Sequence, residues 1–268
     1  MTIAHCRVLH LTDTHIVRRD RRYSGIDTAA YLRDALTCAS ALQPTPAYAV
    51  VTGDLVNGGK RAEYKHFANI MSVLPMPYVV VPGNHDDRDR LRQTLPPTTF
   101  GGSHDERIRF VYDAFDVRLI GLDVTRAGRP GAQIDGENLA WLAARLEEAP
   151  QRPTILALHQ PPFRSGLHYL DVFGFRGAPR LRRLVDAAPQ IGRVICGHIH
   201  TVKIKRWRHA LAMSAPSTAP QSVPELFERR IFGVRREPAG FAVIDWSAGT
   251  GFRTTIYRRR ASGAYTPE

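Results

Sequence analysis

The chain has 268 residues, a net charge of +12 and a hydrophobic content of 43%. These values predict a globular protein with a real core and exclude an intrinsically disordered chain. No apolar stretch approaches the ~20 residues of a membrane span, and the N-terminus lacks the pattern of a signal peptide. Three widely spaced cysteines in apolar patterns fit reduced thiols. We therefore expect a cytoplasmic protein.

The positive charge comes mainly from arginine clusters at 18–22, 228–237 and 258–260. Such clusters attract phosphate-bearing ligands or nucleic acid, but they are also typical of a solvated surface. No basic motif with interleaved aromatic residues is present, so we favour the solvated surface and do not expect nucleic acid as a partner.

In the first third of the chain, apolar runs alternate with helical patterns. Three buried strands and two helices are predicted, in the order strand 6–13, helix 28–42, strand 48–54, helix 61–74 and strand 77–86. Asp27 is the predicted N-cap of the first helix. Alternating strands and helices predict an α/β protein with parallel strands.

The second half has more strand patterns. We predict a hairpin at 109–125, helices at 137–149 and 179–188, and strands within 153–162, 193–200, 204–218 and 240–260. In the last two segments, 204–218 and 240–260, apolar and polar residues alternate, which indicates a second face or sheet. No linker or repeat is present, so residues 1–268 are interpreted as a single domain. Segment 219–238 is interpreted as a cap, a dimer contact or a long loop.

Polar residues follow five of the predicted strands. The residues concerned are Asp13 and His15, Asp54, Asn84 and His85, His159, and His198 with His200. Parallel strands present their carboxyl ends to a common crevice, so this recurrence predicts a metal site. In a continued strand His198 and His200 would point the same way, whereas a bend after Gly197 would spread them around a larger target.

These strand ends carry the motifs DTH, GDLVN, GNHD, LHQPP and GHIH, in this order. Over about residues 7–216 the chain resembles the calcineurin-like metallophosphoesterases. It looks closest to the bacterial class III cyclic-nucleotide phosphodiesterases and glycerophosphodiesterases, with RYSGID and DVTRAG as further similarities. The resemblance implies a four-layer αββα sandwich with two mixed β-sheets and a dinuclear metal site at the carboxyl ends of the strands.

The resemblance also implies a ligand for each motif. Asp13, His15 and His200 would bind one metal, Asn84, His159 and His198 the other, and Asp54 would bridge both. The chain should then turn after Gly197, with Gly53 and Gly83 allowing similar bends. Imidazole with carboxylate and amide oxygen favours Fe, Mn, Zn or Co over Mg or Ca.

By the same resemblance, the function is hydrolysis of small phosphodiesters by a metal-bridging hydroxide. The substrate would be a 3′,5′-cyclic nucleotide or a glycerophosphodiester. His85 would contact the phosphate or leaving group beside Asn84, and Asp86 would fix the tautomer of His85. Alternatively, His85 only orients a ligand.

Departures from the family pattern leave the substrate open. Gln160 stands where relatives often have a histidine, and Pro220 replaces a histidine that faces the substrate. The alternatives are a phosphomonoesterase or nucleotide-sugar hydrolase of the same superfamily, a nuclease, and a non-catalytic scaffold. The resemblance also implies a homodimer, formed through segment 219–238.

Overall fold

The computed structural model describes residues 5–103, 105–219, 221–227 and 230–268, with the backbone alone for 221–227 and 230–237. The helices are α1 (Thr28–Ser40), α2 (Arg61–Met71), α3 (Arg88–Thr94), α4 (Gly136–Glu147), α5 (His168–Asp171) and α6 (Ala178–Ala187), with a 3₁₀ turn at Pro97–Phe100. No helix in this part of the chain is both long and apolar enough to span a bilayer.

Seventeen strands are described. They are β1 (His5–Leu11), β2 (Tyr48–Thr52), β3 (Tyr78–Val81), β4 (Arg109–Tyr112), β5 (Arg118–Leu122), β6 (Thr125–Arg126), β7 (Arg129–Gln133), β8 (Thr154–Ala157), β9 (Phe175–Arg176), β10 (Ile191–Cys196), β11 (Ile204–Trp207), β12 (Ala210–Ser214), β13 (Gln221–Phe227), β14 (Arg230–Glu237), β15 (Gly240–Ser247), β16 (Gly251–Arg259) and β17 (Tyr265–Pro267).

The first large sheet has the order β17-β16-β15-β1-β2-β3. Its three N-terminal strands are parallel, and β15 runs antiparallel to β1 with Val8 opposite Ile244. The parallel strands β2 and β3 are buried along nearly their whole length, as expected for strands covered on both faces. The strands β15, β16 and β17 therefore complete the sheet that contains β1, the first described strand.

The second large sheet has the order β11-β12-β10-β8-β5-β4. Strands β5, β8, β10 and β12 are parallel, while β4 and β11 form antiparallel edges. The predicted hairpin at 109–125 is the β4–β5 pair.

Two hydrophobic cores separate the layers. The first core joins α1, α2 and the first sheet to residues of the second sheet such as Leu119 and Ile195. Alternate residues of the same strands, such as Ile120 and Val194, point into the second core with α4 and α6. The order of layers is therefore helices, sheet, sheet, helices, and the predicted αββα sandwich with two mixed sheets is confirmed.

Local signals explain where the elements begin and end. Asp27 caps α1 as predicted, because its carboxylate accepts a hydrogen bond from the amide of Ala30 (3.0 Å). The three-stranded sheet β6-β7-β9 was not predicted, since two of its strands have only two residues. Segment 219–238 contains the antiparallel pair β13–β14, while Pro220 lies outside the described residues.

Candidate metal centre

The carboxyl ends of strands from both sheets meet at one edge of the sandwich. Asp13 follows β1, Asp54 follows β2 and Asn84 follows β3, all in the first sheet. His159 follows β8, and His198 and His200 follow β10, in the second sheet. All the motif residues predicted from the sequence are therefore brought together, as expected for residues at the carboxyl ends of parallel strands.

Five of the candidate ligands have left-handed backbone conformations. Positive φ angles occur at Asp13 (51°), His15 (42°), Asp54 (49°), His198 (69°) and His200 (56°), and at only two other non-glycine residues of the described chain. Each such residue costs of order 1 kcal/mol or more. Backbone hydrogen bonds between the loops, such as that from the amide of His15 to the carbonyl of Asp54 (2.9 Å), hold this conformation. Strain concentrated in this way is typical of a functional site.

The glycines of the motifs serve more than one purpose. Gly53 has φ +86°, which fits the predicted bend before Asp54. At Gly197 the requirement is space, because a Cβ there would lie 2.5 Å from a carboxylate oxygen of Asp13. The turn after Gly197 is instead made at His198 and His200, the two residues with positive φ.

One group of side chains consists of Asp13, His15 and His200. Nε2 of His200 lies 3.5 Å from Oδ1 of Asp13 and 3.3 Å from Nε2 of His15. Asp13 and His15 are buried, whereas His200 is partly exposed. The carboxylate of Asp13 also accepts the amide of His198 (3.0 Å), which ties the two loops together.

A second group consists of Asp54, His159 and His198, with Asn84 beside it. Nε2 of His159 lies 3.3 Å from Oδ2 of Asp54 and 3.2 Å from Oδ1 of Asn84. Asp54 stands between the two groups, because its Oδ2 is also 3.7 Å from Nε2 of His15. His198 and His200 thus belong to different groups, as the turned backbone requires.

The nitrogen and oxygen atoms of this cluster are of the types that coordinate metal ions. Nδ1 of His159 lies 2.7 Å from the carbonyl of Thr52 and must donate to it, which in the neutral ring leaves a lone pair on Nε2. That lone pair faces only acceptor oxygens of Asp54 and Asn84. Atoms that converge in this way need a cation between them, which is a proton on Nε2 when no metal is bound and the metal ion that displaces this proton when one is.

The charges of the buried groups depend on burial and on pairing. Burial opposes ionisation of Asp54, but His159 and His15 outweigh this effect and hold the pKa of its carboxyl well below the usual range. Burial also lowers the pKa of His159, yet Asp54 raises it to about 9. Burial, aided by His159, lowers the pKa of His198 to about 3. The carboxylates are thus ionised and His198 is neutral at pH 7.

His85 lies at the open side of the cluster. Its backbone amide donates to Oδ1 of Asp54 (2.9 Å), and its exposed ring has Nδ1 2.8 Å from the carbonyl of Asn57. The prediction that Asp86 fixes the tautomer of His85 is wrong. The carboxylate of Asp86 instead accepts hydrogen bonds from the amide of Gly83 (2.8 Å) and from the Tyr64 hydroxyl (3.0 Å). The hydrogen-bond partner of Nδ1 of His85 is therefore the carbonyl of Asn57 and not the carboxylate of Asp86.

Several supporting residues were not predicted. The hydroxyl of Thr12 donates to Oδ2 of Asp13 (2.8 Å), and that of Ser217 donates to the carbonyl of Asp13 (2.7 Å). Tyr23, from the RYSGID block, stacks on His15 with ring centroids 5.1 Å apart. Thr12 adjoins a motif residue and could have been suspected, whereas Ser217 is over 200 positions from Asp13 and gives no local signal.

The GNHD loop is also anchored to the second half of the chain. The guanidinium of Arg88 contacts both carboxylate oxygens of the buried Asp123 and the side chain of Thr125. The DVTRAG block therefore holds the loop that carries Asn84 and His85. Its position beside Arg88 depends on tertiary structure and could not be read from the sequence.

Two opposed mixed sheets, with a His/Asp cluster at their strand ends, define the architecture of a metal-dependent phosphoesterase. The sequence model for the calcineurin-like phosphoesterases matches residues 6–202. The chain belongs to the calcineurin-like phosphoesterase family, and the family expected from the five motifs is confirmed. Members of this family use divalent metal ions.

Individual relatives agree with this assignment. The chain is 32% identical to a glycerophosphodiester phosphodiesterase of Enterobacter lignolyticus over 79% of this chain and 77% of the relative. It is 29% identical to the 3′,5′-cyclic adenosine monophosphate phosphodiesterase of Escherichia coli, over 99% of this chain and 94% of the relative. A dimetal phosphatase from Danio rerio has the same fold, with a TM-score of 0.66 at 13% identity over 93% of this chain and 98% of that one.

Proposed function

We propose that this protein is a metal-dependent phosphodiesterase that hydrolyses small phosphodiesters, either 3′,5′-cyclic nucleotides or glycerophosphodiesters. The observation that carries the proposal is that two groups of metal-ligating side chains meet at Asp54, whose Oδ2 lies 3.3 Å from Nε2 of His159 and 3.7 Å from Nε2 of His15. The names of both relatives described above support the same reaction.

The proposed ligands form two sets that share one carboxylate. Asp13, His15 and His200 would hold one ion, Asn84, His159 and His198 the other, and Asp54 would contact both. The mixed nitrogen and oxygen donors favour Fe, Mn, Zn or Co. Two carboxylates neutralise only part of the charge of two divalent ions, so the loaded site attracts a phosphate anion. When bound, the ions would supply the activated water nucleophile and neutralise charge on the phosphoryl oxygens.

The remaining residues act on the substrate from the open side. Overall, a water oxygen bonds to phosphorus, one phosphorus–alkoxy bond breaks, and the departing oxygen takes up a proton. The backbone carbonyl of Asn57 accepts a hydrogen bond from Nδ1 of His85. Nε2 of His85 is therefore the nitrogen that is available to the substrate. In the imidazolium form this Nε2 can donate a proton to the leaving oxygen. The hydrogen bond from the backbone amide of His85 to Oδ1 of Asp54 holds the proposed proton donor at a fixed distance from the candidate ligands.

Removal of one carboxylate tests the proposal. Asp54→Asn should lower kcat for bis(p-nitrophenyl) phosphate by roughly 10³-fold or more, because both ions lose a shared charged ligand. The matched control is Asp34→Asn, the same change on an exposed carboxylate of α1, which should keep normal activity. Full activity of Asp54→Asn, or no hydrolysis by metal-loaded wild type, would contradict the proposal.

Substrate comparisons separate the remaining alternatives. Turnover of cyclic AMP and of glycerophosphocholine by the metal-loaded protein distinguishes the two diester classes. Preference for p-nitrophenyl phosphate over the bis ester would favour a phosphomonoesterase. Lack of both bound metal and hydrolysis would favour a scaffold.

We also propose that the protein is a cytoplasmic homodimer. Strands β13 and β14 form a separate two-stranded sheet in the described chain, and strand edges that pair with no further strand of this chain can pair with a second copy. Analytical ultracentrifugation of the protein with and without residues 221–237 tests the dimer.

A further inference from the structure

A large pocket adjoins the metal centre on the side of the second sheet. Its volume is about 650 Å³, and His198 and Gln160 form part of its wall next to the candidate ligands. Pockets of this size accommodate a whole organic ligand and exceed what a glycerol unit requires. A diester bound at the cluster would therefore extend one of its two arms into this space.

The body of the pocket is aromatic. Phe163, Phe173, Phe175 and Trp207 line it, and Phe173 is 47% exposed. Aromatic side chains offer flat surfaces on which a planar ring can stack. Such a lining favours an arm that contains an aromatic ring over a flexible polyol.

One polar side chain in the wall of the pocket is almost completely buried. Gln160 is 3% exposed, and its Nε2 donates to the carbonyl of Pro130 (3.2 Å). Its Oε1 is buried and has no hydrogen-bond partner among the described residues. Because this oxygen has almost no accessible surface, a ligand in the pocket does not reach it, and Gln160 shapes the wall without offering a hydrogen bond.

The rim of the pocket is strongly cationic. Arg164, Lys205 and Arg206 line it, are exposed, and form no ion pair within the described residues. The one carboxylate in the lining, that of Asp171, already accepts hydrogen bonds from Ser165 and Gly166. This excess of positive charge favours an arm with its own negative charge and disfavours a cationic arm such as choline.

We propose that this pocket binds one arm of the substrate, and that this arm carries an aromatic ring and a second anionic group. The chemical class is a small nucleoside phosphodiester with an additional terminal phosphate. The inference rests on the proposed phosphodiesterase reaction and goes beyond the two substrate classes named there, because neither class has a nucleoside arm with a second phosphate.

A matched pair of dinucleotides tests the inference. Thymidylyl-thymidine and its 5′-phosphorylated form differ only in the terminal phosphate. We expect kcat/KM to be roughly tenfold higher for the phosphorylated form. In the double variant Arg164→Glu/Lys205→Glu, the ratio of the two kcat/KM values should fall to about one or below. The control Arg33→Glu makes a similar charge reversal on exposed α1 and should keep both the ratio and the hydrolysis of bis(p-nitrophenyl) phosphate.

Binding gives a second readout that does not depend on turnover. Calorimetry should show tighter binding of thymidine 3′,5′-bisphosphate than of thymidine 3′-monophosphate, and the double variant should lose this difference. Equal kcat/KM for both dinucleotides, or a ratio unchanged in the double variant, would overturn the inference. If bis(p-nitrophenyl) phosphate is hydrolysed while the dinucleotides are not distinguished, the pocket assignment fails but the phosphodiesterase proposal stands. If nothing is hydrolysed, the proposed function itself fails.

Discussion

His85 differs from the other motif histidines because its ring is exposed while one of its nitrogens is fixed. Nδ1 is 2.8 Å from the carbonyl of Asn57, so the other nitrogen is available to the substrate. The ring is also close to the cluster, since one of its nitrogens lies within 4.8 Å of ligand atoms of His15 and Asp54. Two roles, proton donor or additional ligand, therefore make different predictions.

Replacing His85 by Gln distinguishes these roles through the leaving group. An alkoxide needs a proton to depart, whereas p-nitrophenolate does not. As a proton donor, His85→Gln should lower kcat for a dialkyl-type diester by about 10²–10⁴-fold and for bis(p-nitrophenyl) phosphate far less. The control His5→Gln, on an exposed residue of β1, should affect neither. Equal losses for both substrates, with loss of bound metal, would assign His85 as a ligand instead.

At the residue scale, the sequence predicted the cluster but not what supports it. Asp54, His159 and the other candidate ligands follow apolar runs, so each could be recognised by its position. The partner of His85 was predicted wrongly, because Asp86 is adjacent in sequence but points to Gly83 and Tyr64. Hydrogen bonds that depend on how two loops pass each other leave no local pattern.

At the element scale, the site depends on how closely the strand ends approach each other. The loop after β10 passes next to the loop after β1, and the amide of His198 donates to Asp13 (3.0 Å). The parallel strands that bring these loops together were predicted from their buried apolar runs. The small sheet β6-β7-β9 was missed because strands of two residues are too short to show any periodicity.

Gly197→Ala tests this close approach. A Cβ would lie 2.5 Å from Oδ2 of Asp13 and against the Thr12 hydroxyl, so the loop after β10 must shift. We expect a loss of about 1–3 kcal/mol in the free energy of unfolding and weaker metal binding, measured by urea titration and by metal content. Gly249→Ala is the control, since a Cβ there meets nothing within 4 Å. Equal behaviour of the two variants would show that the approach of the loops is not critical.

At the scale of the whole molecule, the cluster joins the two sheets. Asp13, Asp54 and Asn84 come from the first sheet, and His159, His198 and His200 from the second. The order of the motifs was enough to predict the family and hence the sandwich. The place of the C-terminal strands beside β1 could not be predicted, because pairing between the two ends of a chain has no signal in either segment. That pairing places β1 and β15 in one sheet, while the single domain over 1–268 stays a prediction.

A cluster that joins both sheets should make folding stability depend on metal. An ion that binds only the folded state adds about 2.7 kcal/mol at a free concentration of 100 times its Kd. Chelation should therefore lower the Tm by roughly 5–10 °C for a chain of this size, measured by calorimetry with metal content determined in parallel. Asp54→Asn should show a much smaller shift, because the carboxylate shared by both groups is gone. An unchanged Tm after complete metal removal would mean that the sheets are held together without help from this site.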